Sequence, residues 1–332
     1  MTRKVMQWAW EHPWLSVGLT VLALFVLFNL LAYRHAAAMT HYDPDAPPRK
    51  PGTKPPSLSW GQKLRLLFVG LRVGRPRSDA VPADQGLTYE VHVLTGGRET
   101  IEAWYVPHPH PLGLVLLFHG YTSCKAFLLP EARAFHELGY ACFLVDFPGS
   151  GGSGGNTTTI GYYEADDVAR AAEYAEKRWP DLPRVLFGQS MGGAAILRAL
   201  AVLGVEARAA IVECPFDRLL TTAQARFAAV GVPAFPGAQL MVFWGGVQHG
   251  FNGFRHNPVE YATRVTCPVL VLHGRCDPRV RVEDVKSIYE NVKGEKELHV
   301  FEGLGHESYV NRQADEWKEV VGRFLQGRDA VR

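Results

Sequence analysis

Cysteine is sparse in this chain and irregularly placed. Cys124, Cys142, Cys214, Cys267 and Cys276 are the only five in 332 residues. An odd set without regular spacing excludes a disulfide-stapled framework. Cys142 and Cys267 stand in apolar runs and read as core residues. A dominant charge is lacking too. The 35 Lys and Arg against 33 Asp and Glu leave a formal +2, which makes no case for a nucleic-acid partner. The 13 histidines are scattered without an H-E-x-x-H or a paired C-x-x-C, so neither a metal nor a cofactor is read from them. Internal repeats are not evident. What the chain does have is 47% hydrophobic residues, enough for one substantial core with additions.

One apolar run stands apart from that core. Residues 14–33 carry no formal charge, and as a helix they span roughly 30 Å, the thickness of a bilayer interior. Trp8, Trp10, Trp14 and Tyr33 supply interfacial aromatics. The run exceeds the roughly 7–15 residues of a signal-peptide core, although Ala36-Ala37-Ala38 is a passable cleavage site. The reading is an uncleaved single-pass anchor behind a tail of residues 1–13. Arg3 and Lys4 before the run nearly balance Arg34, Arg49 and Lys50 after it, which leaves the membrane face open.

Residues 34–57 are a Pro-rich, semi-extended spacer. Residues 58–80 read as a basic amphipathic helix that Ser57 can cap. Trp60, Leu64, Leu67, Phe68 and Leu71 make its apolar stripe. Lys63, Arg65 and Arg72 decorate it, with Arg75 and Arg77 beyond. The stripe either packs on the globular part or lies on an anionic bilayer; both readings stay open.

From residue 81 to 332 strands and helices alternate in one domain. Strands at 87–95 and 100–106 meet across Gly96-Gly97, a favoured tight-turn pair. Further strands at 113–118, 141–146, 184–188, 207–212, 268–273 and 297–301 alternate with helices at 126–138, 162–178, 191–203, 283–290 and 309–325. This order predicts a mainly parallel eight-stranded sheet with helices on both faces and an antiparallel start. About fifty residues separate the strand ending near Val212 from the one starting at Pro268, more than a minimal connection needs. Phe227, Phe235, Met241, Phe243, Trp244, Phe251 and Phe254 crowd that stretch. They line an acyl pocket or hold the insertion to the core; spacing does not separate the two.

The chemistry enters at Gly188-Gln189-Ser190-Met191-Gly192, a G-x-S-x-G between a strand and a helix. A turn this sharp strains the serine, and only glycines let the flanking backbones approach closely. The hydroxyl needs a base, and the base needs an acid to orient it. Asp277 follows the strand at 268–273, and His306 follows the strand at 297–301. All three thus stand at C-terminal strand ends, where sites assemble in open α/β sheets. Asp217 is the runner-up acid. His119 and His273, in His-Gly steps at strand ends, read as packing residues. An oxyanion needs the amide after the nucleophile and one from the loop after an earlier strand, which assigns Met191 and Tyr121. The G-x-G-x-x-G at 149–154 follows a strand but does not open a helix, so no dinucleotide is read from it.

Five pieces in order carry a resemblance: His119-Gly120-Tyr121, the run from Asp146 to Gly154, the elbow at 188–193, the run from Pro268 to Asp277, and Gly305-His306. From about residue 87 to 324 the chain resembles the α/β-hydrolase superfamily, most of all its monoglyceride-lipase-like and serine-aminopeptidase-like branch. The resemblance implies an α/β-hydrolase fold with a small cap at about 214–262. It implies a serine hydrolase without a cofactor, acting on a small-molecule acyl substrate. A carboxylic ester comes first, lipid-derived in view of the anchor. A thioester or peptide, or a catalytically silent membrane-tethered binding module, is the alternative. Gln189 stands where His is common and Pro148 where Arg is common. Neither removes a catalytic atom; both bear on substrate preference.

Overall fold

The computed structural model describes residues 10–47 and 59–329, setting aside the side chains of Trp60, Leu64 and 327–329. Arg3, Lys4, Trp8 and spacer residues 48–57, Ser57 among them, therefore lie outside the described residues. The strands are β1 (Glu90–Leu94), β2 (Ile101–Val106), β3 (Leu114–Phe118), β4 (Ala141–Val145), β5 (Arg184–Gln189), β6 (Ala209–Glu213), β7 (Val269–Gly274) and β8 (Lys296–Phe301). In chain order the helices are α1 (Pro13–Thr40), α2 (Trp60–Val69), α3 (Leu129–Glu137), α4 (Glu164–Arg178), α5 (Met191–Val202), α6 (Leu219–Ala229), α7 (Gly237–His249), α8 (Pro258–Ala262), α9 (Val282–Asn291) and α10 (Ala314–Asp329).

The eight strands form one sheet in the order 1-2-4-3-5-6-7-8. β2 runs antiparallel to β1 and β4, and the other pairs are parallel. Central strands are covered on both faces, which is why β3 reads as five consecutive buried apolar residues. The two-residue period sorts that run into two cores. Leu114, Leu116 and Phe118 meet Val168 of α4 and Ile196 of α5. Val115 and Leu117 meet Phe135 of α3 with Trp317 and Phe324 of α10. Trp317 is fully buried, and truncating such a ring to alanine costs about 3–5 kcal/mol.

Three boundaries differ most from expectation. α1 runs on to Thr40 and takes Ala36-Ala37-Ala38 into the helix. Leu31, Ala32, Ala36 and Thr40 are buried there, while Trp14, Leu15, Phe25 and Leu30 stay exposed. The last turns of α1 lie along α7. Trp244 Nε1 donates to Asn29 Oδ1 at 3.1 Å, and Gln248 Nε2 donates to the Tyr33 carbonyl at 2.8 Å.

α2 ends at Val69, well short of residue 80. Gly70, at φ 94°, stops it, and Ser59 with Gln62 closes a capping box at its start. Arg34 and His35 of α1 meet the α2 carbonyls of Val69 and Leu67 at 3.4 and 2.9 Å. Lys63 and Arg65 do lie on α2, whereas Arg72 and Arg75 are engaged within the chain beyond it. Arg72 pairs with Asp43, and Arg75 donates to the carbonyls of Ser153 and Gly155 in the glycine loop. The third difference is at the other end. α10 starts at Ala314 rather than 309, because Tyr309 and Val310 are buried in the sheet core instead of lying on a helix face.

α6, α7 and α8 form the insertion between β6 and β7. Its aromatics divide. Phe251 stacks on Tyr162 at 4.2 Å, and Trp244 meets Tyr33 of α1 edge-on at 5.5 Å. Phe235, Phe243 and Phe254 face outward.

Candidate active site

Ser190 sits between the end of β5 and the first turn of α5, at φ 52° and ψ −110°. Positive φ is costly for any residue with a Cβ, so the surroundings must enforce it. A Cβ on Gly188 would stand 2.5 Å from the Gly192 carbonyl carbon, and one on Gly192 would stand 2.3 Å from the Phe118 oxygen. The two glycines of the motif are thus required by contact.

Ser190, His306 and Asp277 come together. His306 Nε2 is 3.2 Å from Ser190 Oγ, and its Nδ1 is 2.6 Å from Asp277 Oδ2. Asp277 Oδ1 accepts from the amides of Arg279 at 2.7 Å and Val280 at 3.1 Å. Burial pushes the Asp277 carboxyl up. The hydrogen bond and charge of His306 and those two amides outweigh it, and the net shift is downward. An ionised Asp277 accepting at Nδ1 leaves Nε2 as the lone-pair nitrogen facing the hydroxyl.

The alternatives sit elsewhere. Asp217 accepts from Thr221 Oγ1 and pairs with Arg218. His119 is buried in the loop under the site. The Phe147 amide donates to its Nε2 at 3.0 Å, so its Nδ1 donates to the Gly120 carbonyl at 2.8 Å. Burial pushes its pKa down. His273 is fully buried, and burial lowers its pKa as well.

The loop after β3 lies against the elbow. A Cβ on Gly120 would be 3.5 Å from the Ser190 Cβ. Tyr121 follows, half-buried, and Met191 is buried at the head of α5. In the glycine loop Gly151 packs onto the Asp146 carboxylate, and a Cβ there would be 1.9 Å from Oδ2. Asp146 is paired with the buried Lys125, which also reaches Glu102 Oε1 at 2.7 Å.

Sequence reasoning missed a buried network beside Ser190 and His306. Glu131 of α3 and Glu213 of β6 are both fully buried. Gln189 Nε2 donates to Glu213 Oε1 at 2.8 Å and stands 3.5 Å from Glu131 Oε1. Ser308 Oγ donates to Glu131 Oε1 at 2.6 Å, and Trp317 Nε1 donates to Glu213 Oε2 at 3.2 Å. Burial raises both carboxyls, and for Glu213 the Glu131 charge adds to it. Burial thus favours the protonated forms, against the hydrogen bonds of Ser308, Gln189 and Trp317, which pull the other way. The network ties the elbow to the loop of His306. Its visible trace was Gln189, the departure from the family pattern.

Cys214, Asp277 and His306 are the one group of metal-type donors in mutual reach among the described residues, within 4.8 Å. Burial pushes the Cys214 thiol up, so it is a poor thiolate ligand. The other two are the residues aligned with Ser190.

The chain is similar to several known proteins. A protein-family model described as serine aminopeptidase, S33, matches residues 109–241. The monoacylglycerol lipase of Mycolicibacterium smegmatis is 25% identical over 246 residues, 64% of this chain and 88% of the relative. The chain belongs to the α/β-hydrolase superfamily. Among other relatives of this hydrolase, an uncharacterized protein of Bacillus subtilis, YqkD, is 26% identical over 232 residues, 68% of this chain and 75% of that one. A solved esterase from Pyrococcus furiosus shares the fold of the hydrolase with a TM-score of 0.64 at 24% identity, covering 76% of this chain and 97% of that chain.

Proposed function

We propose that this hydrolase is a membrane-anchored serine esterase that works through an acyl-enzyme. The observation that carries the reading is the continuous Ser190–His306–Asp277 chain at 3.2 and 2.6 Å. Ser190 Oγ attacks an acyl carbonyl while His306 Nε2 takes its proton. Asp277 holds the imidazole tautomer and stabilises the imidazolium. The amides of Met191 and Tyr121 receive the oxyanion, a contribution of about 10²–10³ in turnover per donor. His306 then protonates the leaving alcohol. A water, activated by the same nitrogen, releases the acid and restores the serine.

The relative named as a monoacylglycerol lipase supports an ester as the bond cleaved and a lipid-derived acyl group as its source. α1 supports the anchor. It is a 28-residue apolar helix whose span-length window is 11% buried, long enough to cross a bilayer. Its exit turns pack on the cap helix α7, which would keep the cap close to lipid.

The test is turnover of p-nitrophenyl acyl esters of increasing chain length by the full chain in detergent. Ester cleavage that vanishes in Ser190→Ala is the expected result. No turnover of any ester above the Ser190→Ala background would overturn the reading.

A further inference from the structure

The segment leaving α1 is built into the globular domain. The Thr158 amide donates to the Thr40 carbonyl at 2.9 Å, and the Tyr42 amide donates to the Asn156 carbonyl at 2.7 Å. His41 pairs with Thr157 as an isolated antiparallel bridge. Tyr42 is 2% exposed, although it lies two residues beyond a membrane-type helix. Its ring stacks on Tyr121 with centroids 6.2 Å apart, and its hydroxyl accepts from the Thr122 amide at 3.3 Å. On its other side it abuts Gly149, where a Cβ would come within 2.8 Å of the ring. Tyr121 is held in return. Its own hydroxyl donates to the Met39 carbonyl at 2.7 Å, and Arg226 of the cap lies over its ring at 4.7 Å.

These contacts converge on the strained part of the loop after β3. Thr122 has φ 55°, where a β-branched residue is an outlier. Such a conformation costs on the order of 1–3 kcal/mol and persists only where the surroundings over-determine it. Thr122 directly follows Tyr121, so this strain sits beside the amide assigned to the oxyanion. The bracing groups are the Tyr42 ring and hydroxyl and the Met39 carbonyl.

We propose that Tyr42 is a positioning residue of the oxyanion loop, and that the exit segment of α1 is thereby a working part of the catalytic centre. Tyr42 touches no reacting atom; it acts through Tyr121 and Thr122. The inference rests on the reading of Ser190 as nucleophile and of the Tyr121 amide as donor. It does not depend on whether α1 spans a membrane. Because the oxyanion forms only in the transition state, a misplaced donor lowers kcat and leaves KM nearly unchanged.

The experiment uses the full chain in detergent micelles with a short, soluble p-nitrophenyl ester. Rates are divided by the sites counted in an end-point titration with a fluorophosphonate. Tyr42→Ala is expected to lower kcat per titrated site by about 10–100-fold, with KM within about threefold. Tyr42→Phe keeps the stacked ring and recovers most of that loss. If Tyr42→Ala does not fold, Tyr42→Leu carries the same expectation. A merely structural role would reduce the titratable fraction and the melting temperature but leave kcat per site at the wild-type value, and that result overturns the proposal. Ser190→Ala is measured alongside. Turnover there would refute the nucleophile assignment and this inference with it. An unchanged Tyr42→Ala beside an inactive Ser190→Ala refutes the positioning role alone.

Discussion

A hydroxyl becomes a nucleophile through its neighbours, and Ser190 has them in line. Replacing Ser190 or His306 by alanine should cost about 10⁴–10⁶ in kcat, and the double variant little more, because the two act as one unit. Additive losses in steady-state kinetics would contradict that. A second expectation concerns pH. Burial lifts the carboxyl of Glu131 to about 7 and that of Glu213 to about 8, from an ordinary 4.5. Between those values the folded protein binds more protons than the unfolded chain, so stability falls as pH rises. Asp167, lifted to about 8 by burial, acts with the same sign. Asp277 acts with the opposite sign, and only below the ordinary carboxylate range. Glu131→Gln should make the decline of the melting temperature between pH 5 and 8 shallower; equal slopes would contradict the raised Glu131 carboxyl. At this scale the meeting of Ser190, Asp277 and His306 was legible in the sequence, because each follows a strand in a turn of defined residue types. Glu131 and Glu213 were not. Their meeting depends on α3 packing against the end of β6, which no local pattern encodes.

The elbow is the element whose sequence and geometry agree most closely. Its glycines are forced by contacts from β3 and from the turn itself. Gly192→Ala sets a Cβ 2.3 Å from a backbone oxygen that cannot rotate away. Overpacking of this kind costs about 1–3 kcal/mol or more. Chemical denaturation should report that loss together with loss of esterase turnover. A fully stable and active Gly192→Ala would mean the elbow is looser than its contacts imply. Period and turn residues also gave the eight strands, because a doubly covered sheet writes itself as continuous apolar runs. α2 was harder to read. Its charge pattern continued past Gly70, but Arg72 and Arg75 have partners in Asp43 and the glycine loop. Those partners lie far away in sequence, so a helical stripe and an internal clamp look alike before folding.

Across the whole molecule, α1, the cap and the Ser190 site form one connected body. α1 lies on α7, and its exit segment contacts the loop after β3 through Met39 and Tyr42. The full chain is expected to stay with the membrane pellet through alkaline carbonate extraction, and a chain beginning at residue 59 to be released. Release of the full chain would contradict the anchor. The shortened chain lacks Tyr42, so it should also lose turnover on soluble esters; wild-type turnover would separate anchor from catalysis. The apolar run announced a long helix, yet its burial against the cap was invisible, since Asn29 and Trp244 are 215 residues apart. The most direct test of the central claim is the mass of the full chain after reaction with a fluorophosphonate, with the modified peptide mapped. One adduct per chain, on Ser190 and absent from Ser190→Ala, is the predicted result. A folded chain that takes no adduct, or an adduct that persists in Ser190→Ala, would contradict the account.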